Sequence, residues 1–111
     1  MAVRMVKAER ATWEPAADMY STADGWIVKV ELAGVSLGDI EVEAHEDNLV
    51  VRGTRRDWLV AEGWRQYSME ISYSPFERVL KLPGDLRDPV VSSECRDGML
   101  LVHLTRKRGD L

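Results

Sequence analysis

Residues 90–105 read VVSSECRDGMLLVHLT, and this stretch decides the fold. Asp97-Gly98 supplies two neighbours that tolerate positive φ, as a two-residue type I′ turn between alternating runs requires. With Arg96 opposite Met99, Val91, Ser93 and Cys95 share one face with Leu100, Val102 and Leu104. Ser92, Glu94, Met99, Leu101 and His103 then share the other. A β-hairpin is predicted.

The same period of two extends back through the chain as far as Pro15. Trp26, Val28, Val30 and Leu32 alternate with Ile27, Lys29 and Glu31, which predicts a strand with one buried face. Residues 33–39 form a loop. Residues 40–46 and 49–55 then predict a second hairpin about an Asp47-Asn48 turn, pairing Ala44 with Val51, Val42 with Gly53 and Glu43 with Arg52. A further strand runs from Phe76 to Leu82 and stops at Pro83-Gly84. Between the hairpins, residues 56–74 are long and mixed, a length that in a compact domain signals a function or an extra element. Seven or eight short strands, with no helix after Pro15, predict an antiparallel β-sandwich.

At 111 residues the chain supports one domain. A composition 45% hydrophobic and 31% charged suits a soluble globular fold and argues against disorder. The net charge of −4 gives nucleic acid no general attraction, and the basic run Arg106-Lys107-Arg108 is followed at once by Asp110. A solvated strand end is the expectation there. Cys95 is the single cysteine, so an intramolecular disulfide is impossible and a reducing compartment is the simpler reading. Residues 1–10 lack the apolar core of a signal peptide, and no apolar run approaches the ~20 residues of a membrane span. The expectation is a cytoplasmic protein with no nucleic-acid or membrane partner.

Catalysis finds no footing. Cys95 and His103, the one pairing of nucleophile and base, fall on opposite faces of their hairpin. Cys95 is read as a small buried apolar residue. His45 and His103 have no metal-ligand spacing with each other or with cysteine. The nineteen carboxylates scatter over outward positions and loops, and no glycine-rich phosphate loop appears. Neither an enzyme nor a cofactor is expected.

Trp13, Pro15 to Tyr20, residues 31–35, 48–55 and 76–83, Asp97 to Leu100 and Leu104 to Arg106 together resemble the Hsp20, or α-crystallin domain, family of small heat-shock proteins, the first two matching the opening of that domain. Glu31-Leu32-Ala33-Gly34-Val35 resembles its D-L-P-G-V loop, with Ala33 in place of proline. Residues 48–55 match N-x-L-x-I-x-G-x-R, and residues 76–83 match F-x-R-x-f-x-L-P. Asp97-Gly98-Met99-Leu100 matches N-G-V-L, and Leu104-Thr105-Arg106 stands where L-P-K is usual. Each motif is weak alone, but six in order over residues 13–106 are specific. The resemblance implies an immunoglobulin-like sandwich at 15–106, a short arm at 1–14 and a tail at 107–111 without the I-x-I docking motif. It also implies a homodimer in which a strand of the long loop crosses to the partner.

On that basis Trp58, Leu59, Val60, Trp64, Arg78, Met19 and Tyr20 are expected at the dimer interface. Ile40, Val42 and Ala44 with Val91, Ser93 and Cys95 are expected along a groove that docks apolar segments. Arg78 is either a strand-end arginine reaching solvent or half of an interface salt bridge with Asp57 or Glu62. The implied function is an ATP-independent holdase for partly unfolded clients. A p23- or CS-like adaptor on the same sandwich is the alternative.

Overall fold

The computed structural model describes residues 13–84 and 86–107. The expected arm and tail lie almost wholly outside these residues. Seven strands are present: β1 (Ala17–Thr22), β2 (Gly25–Glu31), β3 (Ile40–His45), β4 (Asn48–Thr54), β5 (Pro75–Lys81), β6 (Val90–Arg96) and β7 (Met99–Thr105). Among the described residues there is no α-helix, only a 3-10 turn at Leu37–Asp39. All pairings are antiparallel, in a four-stranded sheet ordered β1-β2-β7-β6 and a three-stranded sheet ordered β3-β4-β5. The expected all-β sandwich is the fold observed.

Alternation explains where the core sits. Val28 and Val30 of β2 and Leu100, Val102 and Leu104 of β7 are at most 1% exposed, and they meet Leu49 and Val51 of β4 and Phe76 of β5. Leu32, Val35, Leu82 and Leu86 plug the ends of this layer. Burying each such side chain stabilises by roughly 1.5–3 kcal/mol. No polar or charged residue is buried as a whole among the described residues, though the Ser74 hydroxyl oxygen is buried without a hydrogen-bond partner.

The hairpin of β6 and β7 has the predicted register, Arg96 opposite Met99, with Asp97 (φ 52°) and Gly98 (φ 79°) both left-handed. The hairpin of β3 and β4 differs from expectation. Its turn residues are Glu46 (φ 56°) and Asp47, and Val42 faces Val51 while Ala44 faces Leu49. Asn48 joins the ladder opposite both His45 and Lys81. Asp47 is held in the turn by the end of β5: Lys81 Nζ donates to its carboxylate at 2.8 Å, and the Leu82 amide donates to its carbonyl at 2.7 Å. The slip changes pairings and not faces, because opposite positions still share parity.

β4 and β5 approach the start of β3 closely. A Cβ at Gly53 would strike the Asp39 carbonyl and lie 2.8 Å from Phe76 Cζ. Gly53→Ala should therefore cost about 1–3 kcal/mol by overpacking and lower the melting temperature. Gly38→Ala, where no atom lies within 4 Å of the added carbon, should leave it nearly unchanged. Equal melting of the two variants in a thermal scan would contradict this packing.

The Asp47–Lys81 hydrogen bond and ion pair hold the Asp47 carboxyl below the usual carboxylate range and raise the Lys81 ammonium. The Asp47 contribution is present above the ordinary carboxylate pKa and is lost as pH falls through the depressed folded value. The Lys81 contribution is lost as pH rises through its raised value. Asp47→Asn should accordingly be less stable than the parent at neutral pH, with the difference closing in acid. Denaturant titrations of both proteins at pH 7 and pH 2.5 measure this.

Candidate interaction surface

The chain passes between sheets twice, from β2 to β3 and from β5 to β6. As a result β3, an edge of the small sheet, and β6, an edge of the large one, approach each other along one side. Ile40, Val42 and Ala44 of β3 and Val91 of β6 are half-buried against the core. Ser93 and Cys95 also point inward, opposite Val102 and Leu100, yet both are exposed. The resemblance implied a docking groove along these six; the structure half-buries four of them at this edge and leaves Ser93 and Cys95 exposed.

Cys95 is not the buried residue expected: it is exposed on β6, an edge strand of the large sheet. Its thiol is nonetheless partly desolvated, which pushes its pKa up and leaves little thiolate near neutral pH. His103 lies on the opposite face, 3.2 Å from Glu94. At the far end of the groove, Ala44, Val91, Pro89, Glu46, Asp88 and Lys107 line a pocket of about 210 Å³. Asp88 (φ 41°) and Lys107 face each other there at 4.0 Å.

The long loop is the second surface. Residues 55–74 contain no strand within their own chain, so the expected crossing strand is not an element of the isolated protomer. Trp58 is 75% exposed and Trp64 59%, with Leu59 and Val60 equally open. Sequence reasoning stopped at those four. It missed Tyr67, Met69, Ile71 and Tyr73, which are exposed as well. Their signal was legible: residues 67–73 alternate apolar and polar with a period of two, the pattern of a one-sided strand. Of the twelve large apolar side chains exposed among the described residues, eight belong to this loop.

The remaining expected interface residues sit apart. Met19 turns inward against its own core, whereas Tyr20 is exposed beside Lys29, whose ammonium is 5.2 Å from the ring centroid. Arg78 is half-buried, and its Nη1 donates to the Pro15 carbonyl at 3.0 Å. Within the chain it pairs with neither Asp57 nor Glu62, which lie on the loop while β5 runs beside the Pro15 approach to β1. On the outer face of the small sheet, Arg52 lies among Glu41, Glu43 and Glu77 at 3.4–3.8 Å. That partly solvated cluster is worth about 1 kcal/mol or less per pair.

Comparison with known proteins follows the same outline. The family model described as Hsp20/alpha crystallin family matches residues 18–110. The chain is 34% identical over 101 residues to the 17.3 kDa class II heat shock protein of Solanum peruvianum, covering 90% of this chain and 63% of that one. It is 24% identical over 93 residues to small heat shock protein C2 of Rickettsia felis, covering 84% and 60%. Among solved structures, hspA from Xanthomonas axonopodis superposes with a TM-score of 0.72 at 25% identity, covering 87% of this chain and 97% of that one. HSP18.5 from E. histolytica gives 0.74 at 21%, covering 86% and 89%. The chain spans roughly three-fifths of the length of the curated relatives it matches.

The Arg78 bond to Pro15 ties β5 to the chain entering β1. Arg78→Ala should therefore cost about 1.5–3 kcal/mol, the range for hydrogen bonds to charged groups, and toward its lower end because the site is half-buried. Exchange of the Glu31 amide, which donates to Ala16 O at 3.0 Å, should accelerate more than that of the β7 centre. Equal acceleration at both places would mean that Arg78 does not act locally.

Proposed function

The chain belongs to the Hsp20/alpha crystallin family, and on that premise we propose that it acts as an ATP-independent holdase, a chaperone and not an enzyme. The observation that carries this reading is the concentration of eight exposed, large apolar side chains in one loop of an otherwise well-covered sandwich. A patch of that kind marks a surface that another polypeptide covers. The alternating run from Tyr67 to Tyr73 adds to a free sheet edge of a second copy, which satisfies its open backbone groups and forms the dimer. Trp58, Leu59, Val60 and Trp64 extend the same contact, and Arg78 and Tyr20 border it.

The groove between β3 and β6 takes the apolar segment of a client. Small Ser93 and Cys95 leave its floor open, and Val42, Ala44 and Val91 supply the walls. Apolar contact is non-directional, so the clients are partly unfolded proteins as a class and not one sequence. No helix among the described residues is long and apolar enough to cross a membrane, and the action proposed is in the cytoplasm.

An equimolar dose without nucleotide should suppress the heat aggregation of several unrelated clients, followed by light scattering. Bound client should also slow alkylation of Cys95 by iodoacetamide several-fold, by covering the thiol and desolvating it further. Client aggregation unaffected and Cys95 labelling unchanged would defeat the holdase reading in favour of a specific adaptor.

A further inference from the structure

Arg55 follows the last residue of β4 and stands where the long loop both leaves and rejoins the small sheet. Its backbone N–H donates to the Ser74 carbonyl at 3.1 Å, one step beyond the β4–β5 ladder. The side chain then reaches three segments at once. Nε donates to the Ser72 carbonyl at 2.8 Å, Nη1 donates to the Ala33 carbonyl at 3.3 Å, and the guanidinium carbon lies 4.0 Å from the centroid of the Trp13 ring. Trp13 is fixed from its other side as well. Its ring meets Phe76 edge-on at 5.5 Å and 71°, and its carbonyl accepts the Glu77 amide at 3.2 Å.

None of these three segments belongs to a sheet strand, and Arg55 is the group common to them. An arginine suits the task because one planar fork donates in two in-plane directions while its face stacks on an aromatic ring. Lysine, a flexible point charge, cannot hold both arrangements. The geometry is also restrictive: if the Ser72 carbonyl moves, the guanidinium plane must turn to follow it, and the stack on Trp13 is lost.

We propose that Arg55 is a coupling residue that links the seat of Trp13 to the path of the long loop. Displacing the loop root loosens Trp13, and displacing Trp13 loosens the loop root, since such linkage is reciprocal. The coupling lies within one chain and does not depend on what the loop contacts. Where the loop engages a second copy, the engagement is transmitted through Ser72 and Arg55 to the approach of the chain into β1. Arg55 is a positioning residue in this scheme, not a contact for client or partner.

Two measurements on the full chain test it. In protein labelled with 5-fluorotryptophan, the Trp13 resonance is identified by its loss in Trp13→Phe, and Arg55→Lys should shift it while leaving Trp26 in place. By hydrogen exchange, Trp13→Leu should speed exchange of the Arg55 amide about tenfold, a local opening, with the amides at the centre of β7 unchanged. If Trp13→Leu loosens β7 too, the fluorine shift in Arg55→Lys decides. An unmoved Trp13 resonance in Arg55→Lys, or Arg55 exchange within twofold of the parent in a Trp13→Leu protein whose β7 stays protected, would overturn the coupling.

Discussion

A sheet of three strands cannot cover a sheet of four, and most of this molecule's surface chemistry follows from that mismatch. The inward side chains of β2 and β7, the central strands of the large sheet, are sealed by β4 and β5. Its outer strands must find cover elsewhere. On the β1 side the approach to the strand supplies it: Trp13 bridges to Phe76 and Arg78 holds the Pro15 carbonyl. Met19 can then bury against its own core. On the β6 side β3 comes close enough for Val91 to be half-buried, while Ser93 and Cys95 face inward and remain exposed. The proposed groove is the less covered edge of the sandwich, where the inward side chains are small: Ala44, Ser93 and Cys95.

The long loop obeys a different constraint. Backbone donors and acceptors must be satisfied by something, and residues 55–74 satisfy few of them internally. At the root the Arg55 amide donates to Ser74 and its Nε to the Ser72 carbonyl; further out the Leu59 amide donates to Asp57, and the Trp64 amide to Ala61 across a turn containing Gly63 (φ 88°). Between them an alternating run with four exposed apolar side chains is left without a ladder. Such a segment gains most by pairing with another edge, and its side chains gain by leaving water together. On the proposed reading, a second polypeptide supplies both gains.

Much of the sandwich was legible because its signals are local. Asp97-Gly98 has a unique mechanical meaning, and the alternation in β2 and β7 is unbroken, so register and buried face could be read directly. The hairpin of β3 and β4 shows the limit of that reading. Its faces were correct, but its pairing was two positions out, because parity survives a slip of two and the decisive contact was non-local. Lys81 and Leu82, more than thirty residues along the chain by numbering, draw Asp47 into the turn. The burial of Cys95 failed for a related reason: period assigns a residue to a face, while coverage of that face depends on how many strands oppose it. Arg78 was rightly marked as a charge on an apolar face. Its carbonyl partner, Pro15, lies sixty-three positions away, where no pattern points.

Charge placement completes the separation of surfaces. The outer face of the small sheet sets Arg52 among three carboxylates, and Lys81 and Asp47 pair at its end. These partly solvated pairs add little stability. Their effect is to keep that face hydrated, so that a desolvated contact forms there at a cost that the groove and the loop do not impose. On the proposed reading, an incoming apolar segment meets less competition from charge at the long loop and the β3–β6 edge. On the proposed reading, selectivity for unfolded clients needs no recognition code: a folded protein presents few apolar segments to cover, and a partly unfolded one presents many.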